Sequence, residues 1–224
     1  MSPVKSSKAL DELSGMVVSA ELTLISIIQG AALYFLVNTS YEPIANLQYQ
    51  YWLYTAAGLA IIFTVWSRTL AHIFTLIRWP LEFGHNFLYI AITLFESVLF
   101  TQLMNVKRWV VLSAAFWFLA WVTFVFDLRM IRALKSETSP GKYRELIQVV
   151  EDEQMLNIRV FLPLATLFYA GVALAMHRWP ALATDRSAIA LGASQLLGLL
   201  GYLAYSIAFY NRITPLILES RAEG

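Results

Sequence analysis

Six stretches of the chain are apolar for about the 20 residues that a helix needs to cross roughly 30 Å of hydrocarbon: 16–37, 51–77, 81–104, 109–130, 160–176 and 188–210. Nothing else in the sequence constrains the fold as tightly. A backbone in lipid has to satisfy its own hydrogen bonds, so runs of this length must be helices. The second run is long if upright, because Tyr51–Ser67 nearly spans alone and Arg68 and His72 follow. It either tilts or lays 69–77 along the interface. Trp79-Pro80 then forces a turn, since a residue before proline avoids the α region. The expected fold class is all-α, an integral membrane bundle of about six transmembrane helices forming one domain over residues 1–224.

Composition agrees. Hydrophobic residues make up 58% and charged residues 14%, far below the quarter typical of soluble domains. Net charge is +1 without a basic block, so no nucleic-acid partner is expected. The absence of cysteine excludes disulfides, thiolate metal sites and thiol catalysis. Asp11 and Glu12 precede the first apolar run and no small-residue cleavage site follows it, so the first helix is expected to be retained.

Charge placement sets an expected orientation. Lys107, Arg108, Arg178 and Arg186 fall in loops on one side, and all other Lys and Arg fall on the opposite side. The positive-inside rule puts both termini in the cytoplasm, in a plasma membrane of the bacterial inner-membrane kind. Trp52, Trp109 and Trp179 then lie at outer boundaries and Trp66 and Trp79 near inner ones, as amphipathic rings at headgroup level do. The polar segment 136–157 has Ser139-Pro140 as a helix start and Tyr143, Leu146, Ile147 and Val150 at helical spacing. It reads as a cytoplasmic amphipathic helix, either a connector resting on the bundle or a docking surface for a protein partner. Arg-Trp-Pro recurs at 78–80 and 178–180, but a shift of 100 residues aligns little else. An inverted repeat is not supported.

The chemistry lies in the polar intruders. Glu96 sits mid-run, where a charge costs about 2.5–3.5 kcal/mol, so it must face protein or water or carry a proton. Asn86, Tyr89, Thr93 and Ser97 share its helical face, with Phe95, Leu99 and Leu103 turned elsewhere. In the first run Glu21 precedes Ser26 and Gln29 on a second polar stripe. A seam between spans one, two and three is expected to form an ion or solute path through Glu96, Glu21, Thr93, Ser97, Tyr89, Asn86, Gln29 and Ser26. A second cluster, Arg68, His72, Glu82, His85 and Asp127, is expected at the cytoplasmic side. Within it Asp127 reads as an interfacial ion pair with Arg129 or Arg132.

Glu82 and His85 stand at i and i+3, a spacing by which one helix offers two metal ligands, and a fold-back at Pro80 brings His72 to similar depth. Lone interfacial histidines are commoner, so no cofactor is expected, with haem or a metal on His72, His85 and Glu82 as the exception. His177, beside Arg178-Trp179, reads as a headgroup contact. Small residues Ser194, Gly198, Gly201, Ala204 and Ala208 suit a span that is central to the bundle or contacts a second copy in a homo-oligomer. No catalytic set is visible. The expected activity is permeation or transport of a small ion or solute. The alternatives are a non-catalytic subunit or sensor that binds a partner through 136–157, and a membrane enzyme or haem redox protein using His72 and His85.

Overall fold

A computed structural model describes residues 3–76, 83–182 and 184–222, and the chain is helical nearly throughout them, with no strand among the described residues. The helices are α1 (Pro3–Ala45), α2 (Tyr49–Leu76), α3 (Phe83–Phe100), α4 (Val106–Glu137), α5 (Lys142–Leu156), α6 (Leu162–Arg178) and α7 (Asp185–Ala222). Among the described residues, five segments are long and apolar enough to cross a membrane: Val18–Ala45, Tyr49–Ile73, Val106–Glu137, Lys142–Arg178 and Asp185–Ser220. The apolar run at 81–104 instead yields the 18-residue α3, roughly 27 Å at 1.5 Å per residue, and then a turn at 101–104. α1 and α7 outrun the expected spans. Apolarity ends where water begins, whereas backbone hydrogen bonding continues into water.

α1 packs on α2 and α3, α3 on α4, α2 on α7, and α4 on α6. α5 closes the ring by lying against both α4 and α7. Tyr54, Ala57 and Ile61 of α2, Leu99 and Phe100 of α3, and Trp109 and Phe116 of α4 form the main core. Trp109 corrects the sequence expectation. It is fully buried, meets Tyr54 edge-on at 5.4 Å and donates its indole N–H to Gln195 at 2.9 Å. Its neighbours Lys107 and Arg108 mark a boundary, but its own side chain points into protein. Trp52, Trp66 and Trp179 are exposed, as boundary rings are, while Trp79 lies outside the described residues.

α5 begins at Lys142 rather than at Ser139-Pro140, and its apolar face, Leu146, Ile147 and Val150, joins Ile131 of α4 and Ile213 of α7. Lys135 and Arg132 of α4 both reach Glu151, at 2.6 and 3.0 Å. The helix runs into α6 through a π-helical turn at Asn157–Phe161. Pro163 has no N–H for the preceding turn, and the Leu162 N–H reaches back five residues to the Asn157 carbonyl.

The small residues of α7 divide. A side chain at Gly192 would lie 3.0 Å from the Leu53 Cβ, so this glycine lets α2 and α7 approach. Ser194, Gly198, Gly201, Ala204 and Ala208 are exposed, so the alternative of a central packing role does not hold for them.

The turn between α1 and α2 holds Leu47 at φ 52°, with its side chain exposed. A left-handed backbone costs a side-chain-bearing residue about 1–2 kcal/mol. Leu47→Gly is therefore expected to stabilise the protein by about 1 kcal/mol, read as a raised midpoint in thermal unfolding of detergent-solubilised protein.

Candidate functional site: a cavity between the helices

A cavity of about 110 Å³ lies between α2, α3, α4, α5 and α7. Two helices supply polar groups by simple periodicity. On α2, Arg68 and His72 stand one turn apart, and on α3, His85, Tyr89, Ile92 and Glu96 stand at i, i+4, i+7 and i+11, a single helical face. His85, Tyr89, Ile92 and Glu96 are all buried. The first three line the cavity, and Glu96 lies farther along the same face.

At one side of the cavity the His72 and His85 rings stack, 4.4 Å between centroids and 9° apart. The His85 Nδ1 lies 2.8 Å from Asp127 Oδ1. Asp127 therefore does not pair with Arg129, which is exposed, or with Arg132, which binds Glu151. Burial explains the choice. Both Asp127 and His85 sit where water is scarce, and a buried carboxylate takes the partner that shares its cavity. His72 Nε2 is buried and has no hydrogen-bond partner among the described residues.

At the other side, Arg68 makes a bidentate pair with Glu153 of α5, at 2.5 and 2.8 Å. Glu153 also accepts from the Asn157 amide at 2.6 Å, and Asn157 Oδ1 accepts from the Tyr202 hydroxyl at 2.7 Å. Gln154 donates to the Phe124 carbonyl at 3.0 Å, and the Arg68 guanidinium lies 5.1 Å over the Phe124 ring. Arg68 and Glu153 cancel in charge. Asp127 is thus the second carboxylate on the cavity wall, bonded to His85 and beside His72.

Glu96 is fully buried beside the Gln29 side chain of α1, and neither carboxylate oxygen meets full hydrogen-bond geometry with a partner among the described residues. The nearby hydroxyls are used within the helix: Thr93 donates to the Tyr89 carbonyl and Ser97 to the Thr93 carbonyl, each at 3.0 Å. The Gln29 amide of α1 donates to the Tyr89 hydroxyl at 3.3 Å.

Of the expected path, Gln29, Tyr89, Thr93, Glu96 and Ser97 come together inside the bundle. Ser26 does not. It is exposed, and its hydroxyl is bonded to the Leu22 carbonyl at 2.8 Å. The side chains of Glu21 and Asn86 lie outside the described residues, as does Glu82. Leu99 and Leu103 turn away from this stripe into the main core, while Phe87, Leu94 and Val98 of α3 are exposed. Arg68, His72, His85 and Asp127 share the cavity as one cluster. Glu153, Asn157 and Tyr202 were not anticipated. The signal was present, because the spacing of Leu146 and Val150 continues by i+7 and i+11 onto Glu153 and Asn157.

Comparison of the chain with known protein families, curated proteins and solved structures returns no significant match.

Proposed function

We propose that the protein transports a small cation across its membrane, with the cavity as the inner binding chamber and Glu96 as a deeper station. The observation that carries this reading is the single buried face of α3, on which His85, Tyr89 and Glu96 follow one another. They cover about 16 Å of depth at 1.5 Å per residue. Ionisable groups held inside a membrane bundle are costly to keep, and they mark ion and proton pathways. The chamber's donors fit a cation. With Arg68 matched by Glu153, the Asp127 carboxylate and two imidazoles remain on its wall.

With α3 counted as a sixth crossing, the chamber, α5 and both chain ends would share one side, which the Lys/Arg bias assigns to the cytoplasm. α3 acts as the sixth, shorter crossing, and the plasma membrane is the proposed location. α5 serves as the chamber's floor rather than as a free docking helix.

Reconstituted liposomes test the reading. Vesicles carrying a pH-reporting dye, and others carrying a dye for divalent cations, are exposed to the corresponding gradients. Protein-dependent flux is expected in at least one, and Asp127→Asn should reduce it at least about tenfold, as the loss of roughly 1.4 kcal/mol of binding would. Well-folded protein that passes neither protons nor divalent cations would overturn the proposal.

A further inference from the structure

We propose that His72, His85 and Asp127 bind one divalent first-row transition-metal ion. Their donor atoms all lie within 4.8 Å of one another and come from three different helices. On sequence alone a single Glu-x-x-His and one more histidine are a poor metal set. The fold supplies the third donor, Asp127 of α4, which no spacing in the chain announces. A second observation points the same way: His72 Nε2 is buried and has no hydrogen-bond partner among the described residues. A metal ion completes it.

The chemistry of the set selects the ion. Two imidazole nitrogens and one carboxylate oxygen suit zinc, iron, cobalt, nickel or manganese, whereas magnesium and calcium favour all-oxygen shells. No thiolate competes, because the chain lacks cysteine. Metal–nitrogen bonds of about 2.0–2.1 Å require the donors to draw closer, and the parallel rings cannot both aim their lone pairs at one ion while stacked. His72 can move: it borders the cavity and is less buried than His85. A tilt of His72 toward Asp127 opens the stack and admits the ion beside the His85–Asp127 pair. Three protein donors leave coordination positions open toward the cavity, the arrangement of an exchanging or reactive site rather than of a closed structural one.

That this ion is also the cargo rests on the transport reading. Binding itself does not, and it is measured without a membrane gradient. Full-length protein in detergent is stripped with chelator and titrated with Co²⁺, Zn²⁺ and Mg²⁺, following the visible cobalt bands, the heat of binding and the metal retained after desalting. One Co²⁺ or Zn²⁺ per chain is expected, with Mg²⁺ failing to compete. His72→Ala is the informative variant because it removes a nitrogen with no hydrogen-bond partner among the described residues and keeps both members of the His85–Asp127 pair. It should weaken binding on the order of tenfold to a hundredfold or more and lose the cobalt bands, with an unchanged far-ultraviolet spectrum. His177→Ala, an exposed histidine elsewhere, should bind as the parent does. Parent protein that takes up no Co²⁺ or Zn²⁺, or His72→Ala protein that binds as tightly as the parent, would overturn the proposal. Metal bound without any flux would remove the transport reading and leave this site standing. Proton flux without metal binding would do the reverse.

Discussion

Glu153→Ala is expected to destabilise the protein by about 3–5 kcal/mol, the largest loss from any single polar change. The reason is asymmetric. Arg68 is 16% exposed and Glu153 3%, so removing the carboxylate leaves a guanidinium in a poorly hydrated cavity without its bidentate partner, which costs about that much. It also strips Asn157 of one acceptor and loosens the Asn157–Tyr202 link that ties the π-helical turn to α7. Removing both charges is a different experiment. An Arg68→Met, Glu153→Met protein buries no unpaired charge and should recover most of the loss, because a buried ion pair replaced by apolar groups is often neutral or stabilising. Denaturant titration in mixed micelles reads both. A single-variant loss below about 1 kcal/mol would mean that water reaches the pair and screens it as it does at a surface.

Trp109→Ala should cost a further class of energy, about 3–5 kcal/mol of packing. The indole is wholly buried between Tyr54 and Phe100 and fills the meeting point of α2, α3 and α4. Trp109→Phe keeps much of the volume but leaves the Gln195 carbonyl oxygen without its donor, at about 1–3 kcal/mol. Trp179→Ala offers the contrast: its ring is 60% exposed and its loss should change stability by no more than about 0.5 kcal/mol. Equal midpoints for Trp109→Ala and Trp179→Ala in the same titration would place Trp109 at the interface after all.

These two residues also show what a sequence of this kind discloses. The helices were legible because hydrocarbon thickness imposes a length that apolar runs must match, and the membrane class follows from composition. Which intruders are buried was legible where a stripe repeats, as for Tyr89, Thr93 and Glu96. Trp109 was misread because its neighbours Lys107 and Arg108 report depth in the membrane, and depth does not say whether a side chain faces lipid or protein. Asp127 was misread for a related reason. Arg129 and Arg132 are close in sequence, but on a helix they point elsewhere, and its partner His85 comes from another helix 42 residues away. Glu153 lay in a segment whose many charges suggest a solvated face, and only the continuation of the Leu146 and Val150 spacing reveals that it points inward. Contacts between helices far apart in the chain leave no periodic trace, so the cavity as a whole had to be seen in three dimensions.

Glu96 tests the central claim most directly, because it is fully buried and lies outside the wall of the cavity that holds Arg68 and Glu153. The measurement is cation flux into liposomes carrying equal amounts of parent or Glu96→Gln protein, with unfolding midpoints determined on the same preparations. The account predicts a Gln variant that folds within about 1 kcal/mol of the parent, given the modest worth of single polar contacts between membrane helices, and that has lost most of the flux. A variant equally stable and with undiminished flux would contradict it, and would reduce Glu96 to a polar contact between α3 and α1.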